Sequence, residues 1–115
     1  MLPHDRVRLQ HMIDAAEAAV RFARGRTRTD LDTDQLLVFG LVRAVEVLGE
    51  AASRVSPAAR SELPQVPWNQ IFGMRNRLVH AYFDVDLTIL WDTVTEAIPD
   101  LLTKIRAALA QLGGE

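Results

Sequence analysis

A chain of 115 residues with 49% hydrophobic and 24% charged side chains has the make-up of one ordinary globular domain, residues 1–115, with material for a single core. The absence of cysteine excludes disulfides and thiolate metal sites and fits a reducing compartment. A formal charge of −2 argues against broad affinity for nucleic acid, so any RNA contact has to use a local patch.

The opening MLPHDRVRLQ lacks the apolar centre of a signal peptide, and the longest apolar run, Leu36 to Val42, ends at Arg43, far short of a membrane span. A cytoplasmic protein with no membrane contact is expected. The first predicted helix runs from about Asp5 to Arg24, with Leu9, Met12, Ile13, Ala16, Val20 and Ala23 on one side. His4 and His11 stand two turns apart but lack a third ligand, so they read as exposed side chains. Arg21, Arg24, Arg26 and Arg28 then cluster around Gly25. Cations favour a helix C-terminus, and that is the ordinary reading; the alternative is a phosphate-contacting rim for RNA or a nucleotide, made by Arg24, Arg26 and Arg28. Asp30, Asp32 and Asp34 open the next helix.

That second helix, about Thr33 to Val55, carries the widest apolar face: Leu37, Leu41, Ala44, Val45, Leu48, Ala51, Ala52 and Val55. Its polar stripe holds Arg43, Glu46, Glu50, Ser53 and Arg54, where Glu50 and Arg54 are spaced for a surface ion pair. Ser56-Pro57 is a cap followed by a first-turn proline, which predicts a short helix to Leu63, and Pro64 and Pro67 bracket an extended linker.

The stretch Trp68 to Tyr82 is the chemically distinctive one. Trp68, Ile71, Phe72, Leu78 and Val79 recur at helical steps, and that phase sets Arg75 on the face expected to be buried. A buried cation needs a carboxylate or an anionic ligand, and Glu46 and Glu50 are the candidates. His80 and Tyr82 follow. A fixed cation, a group titrating near neutrality and a phenol suit phosphate chemistry. On a continuous helix Arg75 and His80 would stand roughly 140° apart, so the helix has to loosen near His80 or a second chain has to complete the site. The last segment starts at Asp84 or Asp86 and keeps helical phase through Leu87, Trp91, Val94, Ile98, Leu101, Ile105 and Leu112, with a kink or two abutting helices expected at Pro99. No strand-period alternation is visible. The expected fold is all-α, a four- to five-helix bundle whose core is built by the second, motif and last helices, with Trp68, Phe72 and Trp91 at their junction.

The run Arg75-Asn76, three residues, His80-Ala81-Tyr82 resembles the R-x4-H-x-Y signature of the HepT-like toxins, a branch of the HEPN superfamily of small helical proteins. The similarity extends to Gly49-Glu50-Ala51, Pro67-Trp68, Gly73-Met74 and Tyr82-Phe83 through Trp91, and so covers most of the chain. It implies a HEPN-type bundle and the toxin of a type VII-like toxin–antitoxin system: an endoribonuclease that needs no metal or cofactor and acts with Arg75 and His80, supported by Asn76 and by Glu50, which lies in the matching Gly-Glu-Ala segment. It further implies neutralisation by a minimal nucleotidyltransferase antitoxin that transfers AMP to Tyr82. One motif histidine per chain, where cleavage through the RNA 2′-hydroxyl uses two proton-transfer groups, favours a homodimer, as the resemblance does. The alternative is a non-catalytic nucleotide- or RNA-binding module in complex with a nucleotidyltransferase.

Overall fold

The apolar face of the long second helix organises the packing. The computed structural model describes residues 2–81 and 84–113, and residues 79–81 by their backbone. The elements are α1 (Pro3–Ala23), a single turn α2 (Asp30–Thr33), α3 (Gln35–Ser53), α4 (Pro57–Glu62), α5 (Trp68–Leu78), the short strands β1 (Val79–Ala81) and β2 (Asp84–Val85), α6 (Leu87–Asp92), a π-helical turn (Thr93–Ala97) and α7 (Ile98–Gly113). The fold is an all-α bundle. Leu41, Leu48 and Ala52 of α3, Leu9, Met12 and Ala16 of α1, and Ile98, Ile105 and Ala108 of α7 are completely buried. Burying a leucine or isoleucine side chain stabilises by about 1.5–3 kcal/mol, so this seam carries much of the fold. Helix α1 lies along both α3 and α7, which makes the first helix central rather than an outlier to a core of α3, α5 and the last segment.

The helix starts follow local chemistry. Asp34 caps α3 by accepting the Leu37 N–H at 3.0 Å, and its own non-helical backbone (φ −108°, ψ 87°) separates the turn α2 from α3 where one helix from Thr33 is expected. Ser56 accepts the Ala59 N–H at 3.2 Å and Asp86 accepts the Ile89 N–H at 2.9 Å, starting α4 and α6. After α1 the chain turns at Gly25, whose φ of 74° is a left-handed conformation that glycine adopts freely. Pro99 does not break the last helix. The π turn precedes it, with the Ile98 N–H donating to the Thr93 carbonyl five residues back, and the wider turn accommodates a ring that lacks a donor and crowds the preceding carbonyl.

A ribbon departs from the sequence reading: β1 and β2 pair antiparallel, Val79 opposite Val85 and Ala81 opposite Asp84. The three aromatic residues expected at one junction all pack partly buried against the core, and two of them are also engaged by the α4 segment. Trp68 donates its indole N–H to the Leu63 carbonyl at 3.1 Å, and Phe72 lies under the Arg60 guanidinium, 5.2 Å from the ring centroid, so both are half-buried on the α4 side of α5. Trp91 is half-buried on α6.

Asp5 is a buried anchor that periodicity gives no reason to expect. Its carboxylate accepts from the Ser56 backbone N–H at 2.7 Å, the Ser56 hydroxyl at 2.8 Å and the Leu2 N–H at 3.3 Å, clamping the start of α1 to the turn between α3 and α4. Burial by itself would raise its pKa; the hydrogen bonds from Ser56 and the neighbouring His4 outweigh that and hold it below its usual value of 3.8.

Candidate functional site

Helix α5 rotates its motif outward. Its buried stripe is Ile71, Met74 and Leu78, three- and four-residue steps that press it against α3. Arg75 lies one step, about 100°, past Met74 on the flank shared with Trp68 and Phe72. Near the start of α5 that flank is covered by Arg60 of α4, but at Arg75 the side chain is 53% exposed. The sequence expectation of a buried Arg75 is therefore corrected: the apolar stripe runs through Met74 and not through Arg75.

The carboxylate facing Arg75 is also corrected. Glu46 accepts from the Arg75 Nε at 3.1 Å, whereas Glu50 pairs with Arg54 at 3.3 Å on its own helix. Glu46 precedes Glu50 by about one turn of α3 and is the one that reaches α5. The single Nε bond leaves four of the five guanidinium N–H groups unused by Glu46, which keeps a planar fork for an anion. Asn76 is exposed on the same helix.

His80 comes after the helix has ended. α5 stops at Leu78, and the ribbon register slips between Val79 and Ala81, so two steps on β1 oppose one step on β2 and His80 is the bulged residue. The Asp86 N–H closes the loop onto the Leu78 carbonyl at 2.7 Å. The continuous-helix separation between Arg75 and His80 thus does not apply, because the backbone changes course between them. Bulges commonly re-aim a side chain next to a functional site. Tyr82 lies outside the described residues.

The arginine cluster after α1 is held by acids. Arg26 donates to Asp34 at 2.6 Å and to Asp30 at 3.3 Å, and these two bonds, Asp34 first, raise its pKa. Asp34 is lowered by the Arg26 bond, and Asp30 by the Thr27 N–H first and then by Arg26. Arg28 pairs with Asp32 at 3.0 Å and reaches Thr88 of α6. Two members of the supposed rim are therefore engaged by the aspartates that follow in sequence, while Arg24 is exposed. The structure brings Arg75 together with Glu46 but leaves Arg24, Arg26 and Arg28 in a separate group. Arg77, which the sequence reading passed over, lies on α5 and lines a hollow of about 170 Å³ with Asp92 of α6 and Thr93 and Glu96 of the π turn, a juxtaposition that has no signal in a single sequence.

The fold and the site together define an all-α bundle that sets an exposed arginine, oriented by a neighbouring helix, just before a bulged histidine. The Ribonuclease HepT-like family profile matches residues 12–108, and the chain belongs to that family. A candidate RNase of Caldanaerobacter subterraneus subsp. tengcongensis is 33% identical over 101 residues, covering 88% of this chain and 90% of that protein. A candidate ribonuclease HepT of Thermococcus cleftensis is 36% identical over 96 residues (84% and 87%), and a candidate RNase of Methanocaldococcus jannaschii is 28% identical over 97 residues (84% and 89%). No solved structure matches the chain.

Proposed function

We propose that this protein is the endoribonuclease toxin of a toxin–antitoxin pair and that it cuts RNA through the substrate's own 2′-hydroxyl. The observation that carries the reading is the arrangement around α5: Arg75 is exposed and oriented by Glu46, and the helix gives way to a bulge at His80. His80 takes the proton from the 2′-hydroxyl, the oxygen attacks the adjacent phosphorus, and the bond to the 5′-oxygen breaks. The products are a 2′,3′-cyclic phosphate and a 5′-hydroxyl that receives a proton. Arg75 stabilises the negative charge gathering on the phosphoryl oxygens. Because the second proton transfer needs a second group, the reading includes a homodimer in which two copies of His80 serve one cleft. RNA carries its nucleophile with it, so the chemistry requires no activated water.

Purified protein should therefore yield RNA fragments with 2′,3′-cyclic phosphate ends, and cutting should persist in excess chelator. Growth arrest with RNA left intact would instead favour the binding module. Replacing Glu46 by glutamine tests the positioning role. An exposed ion pair stabilises by at most about 1 kcal/mol, so the melting temperature should move by only a few degrees. Losing the orientation of Arg75 should lower kcat/KM by about 10- to 100-fold. Equal activity in Glu46→Gln and wild type would remove Glu46 from the site.

Regulation belongs to the same reading: a nucleotidyltransferase antitoxin transfers AMP to Tyr82. The phenolic oxygen attacks the α-phosphorus of ATP, pyrophosphate leaves, and the resulting phosphodiester competes with RNA for Arg75. Incubation with the nucleotidyltransferase encoded beside the toxin, ATP and magnesium should add one adenylyl mass to the wild type and none to Tyr82→Phe. An adenylylated Tyr82→Phe protein would assign the acceptor elsewhere.

A further inference from the structure

Most arginines of this chain have a partner within the fold. Arg26 and Arg28 bind the aspartates of the α1–α3 connection, Arg106 binds Glu17, Arg6 donates to the Leu112 carbonyl at 2.9 Å, and Arg21 and Arg60 lie over phenylalanine rings. Arg24 and Arg77 have no such partner among the described residues, nor do Arg8 and Arg43, which differ in their placement. Among the described residues neither makes an ion pair, yet the two converge from α1 and α3 on one hollow of about 220 Å³, lined also by His11, Glu50 and Arg54. Three arginines line it with a single acidic residue, Glu50, which is already paired with Arg54. On a protein of net charge −2 this is a local cationic excess. Like charges on adjacent helices repel, so the arrangement costs the fold stability unless an anion occupies it.

We infer that the α1–α3 hollow binds the phosphodiester backbone of the RNA substrate; this rests on the ribonuclease reading. Arginine forks match phosphate oxygens in pairs, which an exposed ammonium does not. Arg8 is half-buried, the burial typical of an arginine whose stem covers apolar surface and whose head group reaches solvent. The extent of the patch also fits a strand. Arg43 and Arg54 are eleven residues apart on α3, about 16 Å along the axis, more than one phosphate occupies. Glu46, which holds Arg75, is on the same ridge one turn from Arg43, so a strand crossing α3 passes from the hollow to Arg75. The lining holds no phenylalanine, tyrosine or tryptophan, and its one aromatic ring, the His11 imidazole, offers a stacking surface that any base can use. The hollow contributes affinity and salt dependence and no sequence preference.

The test uses a single-stranded RNA of about twelve nucleotides, within the usual span of such sites, with 2′-O-methyl groups that block cleavage. Its Kd is measured between about 50 and 200 mM salt for the wild type, for Arg8→Gln/Arg43→Gln, for Arg8→Lys/Arg43→Lys and for the control Arg106→Gln. The glutamine pair should weaken binding at least about tenfold and flatten the slope of log Kd against log salt by about 1.4, the value for two phosphate contacts on a single strand. The lysine pair keeps the charge and should keep the slope, which separates lost contacts from lost folding. Arg106→Gln should match the wild type. If wild type cuts RNA and the glutamine pair binds with an unaltered slope, the hollow is not an RNA site. If the glutamine pair turns a dimer into a monomer by light scattering, the hollow is a protein interface and the inference is overturned. If wild type neither binds nor cuts RNA, the ribonuclease reading fails first and takes this one with it.

Discussion

Replacing His80 by alanine is expected to slow RNA cleavage by about 10²- to 10⁴-fold, the usual contribution of a positioned proton carrier, while the fold stays intact. The reason for an intact fold lies in what holds this segment. β1 and β2 pair through their backbones, the Asp86 N–H bonds to the Leu78 carbonyl, and the buried anchors of α5 all precede His80 at Ile71, Met74 and Leu78. Truncating a side chain at the bulge removes none of these. Arg75→Lys should also lose most activity, because a single ammonium cannot reproduce a fork that is oriented by Glu46 and still offers paired donors to phosphate. Single-turnover cleavage with far-UV circular dichroism as the folding control measures both. A His80→Ala protein that cuts at the wild-type rate would assign the proton transfers to another group.

Asp5→Ala should be the most destabilising change of a polar residue, at about 2–3 kcal/mol, which lowers the melting temperature by roughly 10 °C in a domain of this size. The substitution strands the Ser56 N–H and hydroxyl beside a buried space and releases the start of α1, a helix packed on both α3 and α7. The effect has a pH signature. The folded-state pKa of Asp5 is depressed, so its contribution is complete above the unfolded value near 3.8 and fades as pH falls through the lower folded value. The stability gap between wild type and Asp5→Asn should therefore be widest at neutral pH and close in acid. A gap independent of pH would mean that the carboxylate charge contributes nothing.

The helices could be read from residue order because their causes are local. Apolar spacing over three and four residues set the faces of α1, α3 and α7, and a side-chain acceptor three residues before a free N–H set the starts at Asp34, Ser56 and Asp86. The motif around Arg75 and His80 was likewise legible, since its residue types and spacing are contiguous in the chain. What remained open involved pairs far apart in sequence. Periodicity allowed either Glu46 or Glu50 to meet Arg75, and only the rotation of α5 about its Ile71–Met74–Leu78 stripe selected Glu46. The bulge at His80 needed a partner strand, Asp84–Val85, too short to show any alternation. Asp5 and Ser56 are 51 residues apart, and neither flanking sequence carries a sign of the other. Arg43 read only as part of the polar stripe of its helix and Arg8 carried no signal of its own; the packing of α1 on α3 placed both at one hollow. Local hydrogen bonding and side-chain periodicity act within about one helical turn, whereas which charges meet is settled by the depth and rotation at which apolar faces lock together, a property of the whole core.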